Sequence, residues 1–428
     1  MIERLNMYLI KNIRLYTGEE TYENGAVLTD GDVVVYAGDE SKMTAPPLNG
    51  KKITVLDGGG GICMPGLANT HTHAPMVLLR GLGSGLPLAP WLNTVMPIEN
   101  KFTPNIIYTG TVLGIMEMLR NGVTAFADQY FHCDDMIRAV LDTGIRANIS
   151  RGSSNPDGVN YHRMLLEKYA DASDNLKIYL GLHAEYTSDE KTARLAAETA
   201  KELGVGVHVH VSESAAEVEG CIERHGMTPV RYFERLGLFD SPTLAAHTVH
   251  IDAEEREIFA SHGVTSVHCP ASNLYLGSGI SDIKALTDAG VNVALGTDGA
   301  ASNNTLDVFR EMRLAALLAK HKTGDPSAIS ASEIIKMATV NGMRAMGFEN
   351  TGLIKAGMTA DLILLDGSAL HLRGAGGIES DIVYSAAGGD VKLTMVGGRV
   401  LYCNGEYMTV DAERMRYEKA AVDDILRS

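Results

Sequence analysis

The feature that most constrains this chain is an eightfold alternation of short apolar segments with helical patterns between residues 61 and 300. Each segment has the length and composition of a buried strand, and a glycine often stands where a helix would end. Such alternation predicts a parallel sheet. Eight units favour a closed (β/α)8 barrel, with an open, doubly wound parallel sheet as the alternative. The segments read GICMPGLANTHTH, GVTAFADQY, GIRANISRG, KIYLGLHAEY, VGVHVHVSE, TLAAHTVH, VTSVHCPASN and VNVALGTDGA.

The two ends of the chain have a different sequence pattern from the middle. Near the N-terminus, NGAVLTDGDVVVYAGDE reads as short strands joined by a glycine-containing turn, and VKLTMVGGRVLYCNGEYM does the same near the C-terminus. We therefore predict an α/β protein in which residues 1–64 and 349–428 form one small β-sandwich domain around a barrel of residues 65–348. The last segment, residues 411–428, predicts a polar helix.

Composition narrows the class of partner. A formal net charge of −16 argues against nucleic acid, because phosphate binding needs a basic surface. No run reaches the roughly 18 apolar residues that a membrane helix needs. The five cysteines are scattered without a CxxC pair, which is typical of a reducing compartment. We predict a cytoplasmic protein that acts on a small molecule, and assembly into a homo-oligomer stays open.

Ionisable side chains recur at the ends of the predicted strands. His71 and His73 lie two positions apart, so they share one face of the first strand. His210 ends the fifth strand, and Asp298 ends the eighth between two glycines. The carboxyl ends of barrel strands meet at one rim. An HxH pair alone also occurs in packed cores, but three histidines and an aspartate at one rim suit zinc, with iron or manganese as alternatives.

Two further residues fit the chemistry that such a metal supports. Glu213 follows His210 by three residues, where a carboxylate can move protons without joining the ligands; a solvated loop glutamate is the alternative. His247 follows the sixth apolar run directly, while His208 reads as a packing residue. A bound metal lowers the pKa of a water molecule. The pattern predicts metal-assisted hydrolysis with Glu213 and Asp298 as proton carriers.

These elements together resemble the amidohydrolase superfamily over nearly the whole chain. The segments that carry the resemblance are PGLANTHTH, HVHVSE, AAHTVH, HCPASNLYLGSG, LGTDGAASNN and GLIKAGMTADLILLD. Members with two metals usually bridge them by a modified lysine on strand four, but that strand reads IYLGLHAEY here and has no lysine. The chain is therefore similar to the mononuclear deaminases, and among these to the 5'-methylthioadenosine/S-adenosylhomocysteine deaminases.

The resemblance implies a role for each substrate-binding residue. Trp91 would wall the nucleoside pocket, Glu99 would accept hydrogen bonds from the ribose hydroxyls, and His183 would contact the nucleoside. Arg151 and Arg163 match positions that hold the homocysteine carboxylate in the family, a task that suits the forked guanidinium.

It also implies the metal ligands and the catalytic groups. One zinc ion would be held by His71, His73, His210 and Asp298. Asp298 would take a proton from water and His247 would orient the resulting hydroxide for attack on C6 of adenine. Glu213 would contact the substrate and deliver a proton to the ring nitrogen beside C6.

The reaction implied is hydrolytic deamination of 5'-substituted adenosines to inosine analogues and ammonia. The sequence does not rank S-adenosylhomocysteine, 5'-methylthioadenosine, 5'-deoxyadenosine and adenosine as substrates. The first alternative is a deaminase or chlorohydrolase of the same scaffold acting on another nucleobase or a triazine, because a fold does not fix a substrate. The second is a metal-binding protein without catalysis, which would not need Glu213 and His247.

Overall fold

The computed structural model describes residues 7–44 and 51–427. In the described residues, the N-terminal part of the chain supplies four strands before the barrel begins. Their bounds are β1 (Met7–Tyr16), β2 (Thr21–Asp30), β3 (Val33–Asp39) and β4 (Ile53–Pro65).

The parallel strands of the barrel follow at the positions of the eight predicted segments, with the fourth strand in two pieces. They are β5 (Leu67–Thr72), β6 (Val123–Tyr130), β7 (Arg146–Arg151), β8 (Leu176–Ile178), β9 (Leu180–Leu182), β10 (Val207–Val211), β11 (Thr243–His247), β12 (Thr265–His268) and β13 (Asn292–Leu295).

The C-terminal part of the chain adds four strands to those of the N-terminus. These are β14 (Leu362–Leu365), β15 (Val391–Val396), β16 (Arg399–Cys403) and β17 (Glu406–Tyr407). They join β1–β4 in one sheet of order β17-β16-β15-β14-β4-β1-β2-β3, in which only β1 and β4 run parallel. The predicted fold class, a barrel with a β unit made from both chain ends, is confirmed.

The exact domain limits stay a prediction. Residues 1–6, 45–50 and 428 of the predicted outer domain lie outside the described residues.

Helices connect the strands and cover the barrel. Their bounds in the described residues are α1 (Leu88–Glu99), α2 (Pro104–Arg120), α3 (Cys133–Thr143), α4 (Pro156–Tyr169), α5 (Glu190–Leu203), α6 (Ala215–His225), α7 (Pro229–Arg235), α8 (Ala253–His262), α9 (Pro270–Tyr275), α10 (Ile283–Asp288), α11 (Ala300–Asn303), α12 (Val308–Thr323), α13 (Ala331–Met337), α14 (Val340–Ala345), α15 (Ile378–Ser380) and α16 (Ala412–Arg427). None of these helices is long and apolar enough to cross a membrane.

The barrel closes between its last and first strands. Asp298 N donates to His71 O at 2.9 Å, and the Asn69 side chain exchanges two hydrogen bonds with Thr297, at 2.8 and 2.9 Å. Gly296 permits this approach, since an added Cβ there would lie 2.8 Å from His71 N. The open-sheet alternative is therefore excluded.

The fourth strand of the barrel is interrupted at Tyr179, between its two pieces β8 and β9. The side chain of His162 on α4 bridges this point, where its Nε2 accepts hydrogen bonds from Arg151 N and Gly181 N, both at 3.0 Å. Its Nδ1 donates to Gly158 O at 3.0 Å. His162 is fully buried and satisfies backbone groups that the broken strand leaves without ladder partners.

A buried ion pair joins the barrel to the outer sheet. The guanidinium of Arg146, on β7, contacts both carboxylate oxygens of Asp361 at 2.6 and 3.2 Å. Gly397 N also donates to Asp361 Oδ1 at 2.6 Å. Because both side chains are withdrawn from water, each charge depends on the other for compensation.

Candidate active site

A cavity of about 580 Å³ opens at the C-terminal ends of the barrel strands. The carboxyl ends of the strands are where active sites of such barrels form. Eight of the predicted site residues line the cavity: His73, Trp91, Glu99, His183, His210, Glu213, His247 and Asp298. His71 is fully buried and Arg151 and Arg163 are absent from the lining.

Two of the histidines are oriented by backbone carbonyl groups. His73 Nδ1 lies 2.6 Å from Gln129 O, and His210 Nδ1 lies 2.7 Å from His183 O. A carbonyl oxygen can only accept, so each Nδ1 carries a hydrogen and donates it. In the neutral ring, the lone pair is then on Nε2.

The other two histidines are oriented by side chains. His247 Nδ1 donates to Asn273 Oδ1 at 2.9 Å. His71 Nδ1 and His208 Nε2 are 2.8 Å apart. His208 is buried, as expected of a packing residue, and it also contacts a predicted metal ligand. All four site imidazoles thus use Nδ1 for support.

Asp298 completes the cluster from the end of β13. Its Oδ1 lies 3.2 Å from His73 Nε2 and 3.4 Å from His71 Nε2. Its Oδ2 accepts hydrogen bonds from Ser272 Oγ at 2.6 Å and Ser302 Oγ at 2.8 Å. These donors fix the carboxylate so that Oδ1 faces the histidines.

Two of the cavity residues have left-handed backbone conformations. Asp298 has a φ of 60° and His247 a φ of 72°. Such values are unfavourable for residues with a Cβ and cluster at functional sites, where the surrounding structure enforces them.

The arrangement of atoms fits a divalent cation. The ligand atoms of His71, His73 and His210 lie within 4.8 Å of one another, and so do those of His71, His247 and Asp298. His71 Nε2 is buried and has no hydrogen-bond partner in the described part of the chain. A buried imidazole nitrogen that makes no hydrogen bond, beside other ring nitrogens and a carboxylate, is placed as a metal ligand would be. Three imidazoles and one carboxylate are a donor set that suits zinc.

The electrostatics of the cluster agree with this fit. Burial lowers the pKa of His71 to about 4, so its ring is neutral at physiological pH. Burial disfavours the ionised form of Asp298, but the neighbouring imidazoles of His71 and His73 outweigh it and hold the Asp298 pKa well below its usual range. Burial also opposes the charged form of His73, and Asp298 overcomes it and raises that pKa to about 9. The His73–Asp298 pair therefore attracts a positive charge.

Glu213 lies beside this cluster and is fully buried. Its Oε2 is 3.8 Å from His247 Nε2, and Ser278 Oγ donates to its Oε1 at 3.5 Å. Burial raises the pKa of the Glu213 carboxyl, and the nearby His247 opposes that rise. A buried carboxyl with a raised pKa on the cavity wall can hold a proton and release it to a substrate.

The backbone of Glu213 is held by a second glutamate that the sequence analysis missed. The carboxylate of Glu217 accepts hydrogen bonds from Ser212 N at 2.9 Å and Glu213 N at 2.7 Å. Ser214 Oγ in turn accepts from Glu217 N at 3.2 Å. The signal was present as SAAE, since a serine followed three residues later by glutamate is the pattern of a helix N-terminus.

The far side of the cavity carries the residues expected to meet the nucleoside. Trp91 is buried in α1, and Glu99 ends the same helix. The hydroxyl of Tyr130, at the end of β6, donates to Glu99 Oε1. Burial raises the pKa of Glu99, and Tyr130 opposes that rise. Tyr130 lines the cavity and was also missed from the sequence, because a tyrosine ending an apolar strand carries no distinctive signal.

The structure does not bring the two predicted arginines to the cavity. Arg163 faces away on α4, where its guanidinium contacts Glu202 of α5 at 2.6 and 2.7 Å. Arg151 lies over the ring of Tyr161, with 5.3 Å between the guanidinium carbon and the ring centre. Ser150 points into the barrel, where it contacts His208, so the next residue on the strand points outward. A role for these arginines in holding a substrate carboxylate is not supported by this geometry.

Comparison with known proteins gives the same picture from independent sequences. The model of the amidohydrolase family matches residues 62–401. A 5-methylthioadenosine/S-adenosylhomocysteine deaminase of Moorella thermoacetica is 42% identical over 91% of this chain and 92% of its own length. A 5'-deoxyadenosine deaminase of Methanosarcina acetivorans is 38% identical over 98% of both chains. The crystal structure of an adenosine deaminase from Xanthomonas campestris with bound zinc superposes with a TM-score of 0.92 at 31% identity, over 98% of each chain.

Proposed function

The chain belongs to the amidohydrolase family, and from that premise we propose that it deaminates 5'-substituted adenosines by hydrolysis, releasing ammonia and the inosine analogue. The observation that carries the proposal is the convergence of four supported imidazoles and Asp298 on one cluster, which lines the cavity except at the buried His71, with the protonatable Glu213 beside it. This geometry matches hydrolysis at a carbon of a flat, nitrogen-containing ring, where water must be activated and a ring nitrogen must be protonated.

We propose zinc as the resident metal, held by His71, His73, His210 and Asp298. When bound, zinc lowers the pKa of a water molecule, so that hydroxide is available near neutral pH. Burial lowers the pKa of His71 and His210, which supports this assignment because a ligand nitrogen must be free of its proton. The metal would displace the proton that Asp298 stabilises on His73.

The side chains around the metal then divide the proton transfers. Asp298 accepts a proton from the attacking water. His247 donates through Nδ1 to Asn273, so its Nε2 offers a lone pair that accepts a hydrogen bond from the water and turns it toward C6. Glu213 delivers its proton to the ring nitrogen beside C6, which makes that carbon more electrophilic. The proton held by Asp298 passes to the amino group, which leaves as ammonia, and the hydroxyl proton at C6 returns to Glu213 as the carbonyl of the product forms.

The remaining residues select the nucleoside. Glu99 would accept hydrogen bonds from the ribose hydroxyls, and Tyr130 would hold one oxygen of the Glu99 carboxylate in place. Trp91 and His183 would contact the base and the sugar. In the residues that the structure describes, no lysine or arginine lines the cavity. We therefore propose that uncharged 5' groups, such as methylthio, hydrogen or hydroxyl, are preferred over the zwitterionic homocysteine group.

The decisive experiment is a screen for ammonia release with the zinc-loaded protein. The panel contains 5'-methylthioadenosine, 5'-deoxyadenosine, adenosine, S-adenosylhomocysteine, guanine, cytosine and an aminotriazine. Release from the adenosines alone supports the proposal, and faster release from guanine, cytosine or the triazine refutes it. Bound zinc without ammonia release from any compound would favour the non-catalytic alternative. The Glu213→Gln variant, purified in the same way, controls for a contaminating deaminase.

A further inference from the structure

His71 differs from the other three site histidines in the kind of group that supports it. Carbonyl or amide oxygens accept from His73, His210 and His247, and each of these acceptors fixes the proton on Nδ1. The partner of His71 is the imidazole of His208, at 2.8 Å, and an imidazole nitrogen can either donate or accept. The contact by itself therefore leaves two positions for the proton of His71.

The next contacts along the barrel interior remove this ambiguity. Ser150 Oγ lies 2.9 Å from Asp128 O and 3.3 Å from His208 Nδ1. Because Asp128 O is a carbonyl oxygen, the serine hydroxyl must donate its only hydrogen there. Ser150 Oγ can then only accept from His208, so the hydrogen of His208 is on Nδ1. His208 Nε2 is left with a lone pair, and His71 Nδ1 must be the donor between the two rings.

We infer that Ser150 and His208 are positioning residues of the metal site, which hold the proton of His71 on Nδ1 and so present Nε2 as a free lone pair. The opposite arrangement would place a proton on His71 Nε2 and block it as a ligand. The inference rests on the proposed metal site and is independent of the substrate.

The three hydrogen-bonded side chains are buried, which supports a single arrangement of their protons. Ser150, His208 and His71 are all fully buried, so water does not compete for their hydrogen bonds. A packing role alone would need the shape of the imidazole and would be indifferent to which nitrogen carries the hydrogen.

Four variants separate positioning from packing. Ser150→Ala removes the acceptor that holds the His208 proton, and His208→Phe removes the acceptor for His71. His208→Gln is the conservative variant, since its amide can accept from His71 and donate to Ser150. Ser153→Ala is the matched control: Ser153 is a buried serine just beyond the same strand, and its hydroxyl donates to a backbone oxygen, Arg151 O at 3.3 Å, rather than contacting an imidazole ring.

The first readout is zinc affinity at neutral pH, measured by competition with a chelator in the absence of substrate. We expect Ser150→Ala and His208→Phe to bind zinc about 10- to 100-fold more weakly, the range typical of groups that support a ligand from behind. His208→Gln and Ser153→Ala should bind zinc as the wild-type protein does. The second readout is the proton bound to His71 Nδ1, observed in the metal-free protein by NMR with isotope-labelled histidine.

The outcomes are distinguishable from those of the proposed function. Wild-type zinc affinity in both Ser150→Ala and His208→Phe overturns the inference, as does an unchanged His71 Nδ1–H signal in Ser150→Ala. If His208→Phe does not fold, Ser150→Ala and its NMR signal decide the matter. A protein that shows the expected order of zinc affinities but releases no ammonia from any nucleoside supports the positioning role and refutes the deaminase.

Discussion

The buried position of His162 predicts that the free energy of unfolding falls measurably at acid pH. Its buried Nε2 accepts two backbone hydrogen bonds, one from the third barrel strand and one from the broken fourth strand, and burial lowers its pKa from 6.5 to about 4. Because the folded-state pKa lies below that of the unfolded chain, the folded protein binds fewer protons between these values. The stabilisation is therefore complete above the unfolded pKa and is lost as the pH falls toward the folded pKa.

The size of the effect follows from the same two values. A shift of about 2.5 pKa units corresponds to about 3 kcal/mol in the limit of low pH. At about pH 5 the unfolded histidine is almost fully protonated and the folded one is not, so about 2 kcal/mol is already lost relative to about pH 7.5. His162→Gln should keep an acceptor for both backbone donors and has no proton to gain.

Urea unfolding of both proteins at these two pH values tests the prediction. The wild-type free energy of unfolding should fall by about 2 kcal/mol more than that of His162→Gln. The acid response of the other histidines is common to both proteins and cancels in the comparison. His321→Gln, at an exposed position on α12, is the control and should follow the wild type. Parallel pH dependences for the wild type and His162→Gln would refute the reasoning.

Three further predictions concern the site and its attachment. Glu213→Gln should retain one zinc per chain by metal analysis while kcat for ammonia release falls about 100- to 10,000-fold, and near-wild-type turnover would contradict its role as a proton carrier. Arg151→Met and Arg163→Met should leave the ratio of kcat/KM for S-adenosylhomocysteine and 5'-methylthioadenosine unchanged, whereas a selective loss on the first substrate would return the arginines to the site. Asp361→Ala should lower the free energy of unfolding by about 3–5 kcal/mol in urea, because Arg146 would keep a buried charge with no counter-charge, only its hydrogen bond to Asn175, and a loss under about 1 kcal/mol would show that water reaches it.

The barrel was predictable because its signal is repeated. Each of the eight apolar segments coincides with a strand, and glycines end the preceding helices as expected, with Gly204 and Gly263 in the left-handed conformation at the ends of α5 and α8. The positions of His73, His210 and Asp298 at the cavity follow from strand ends alone, since all parallel strands deliver their C-terminal residues to one rim.

The two arginines show what a family resemblance leaves open. It implied a substrate-binding role for Arg151, but alternation along β7 turns this side chain outward, because Ser150 faces the interior. Polar and apolar residues alternate along β7, which reads RANISR, and this alternation does not by itself tell which set faces the barrel interior. Arg163 depends on the rotation of α4 about its axis, which places it against Glu202. The sequence match that implied a substrate-binding role for the two arginines does not specify which face of the strand or of the helix each side chain occupies.

The group that accepts a hydrogen bond from each site histidine depends on how deep in the barrel the histidine lies. This explains why the sequence predicted only a packing role for His208. His73 and His210 lie near the rim, where carbonyl oxygens of Gln129 and His183 are available as acceptors. His71 lies deeper, where the carbonyl groups of adjacent strands are engaged in the ladder, and its own carbonyl accepts from Asp298 N. A ligand at that depth needs a side chain as its acceptor. In the proposed site, the second histidine of HVH, two residues nearer the rim, would be a metal ligand, and the first would supply that acceptor, so both histidines of the motif would act on one site.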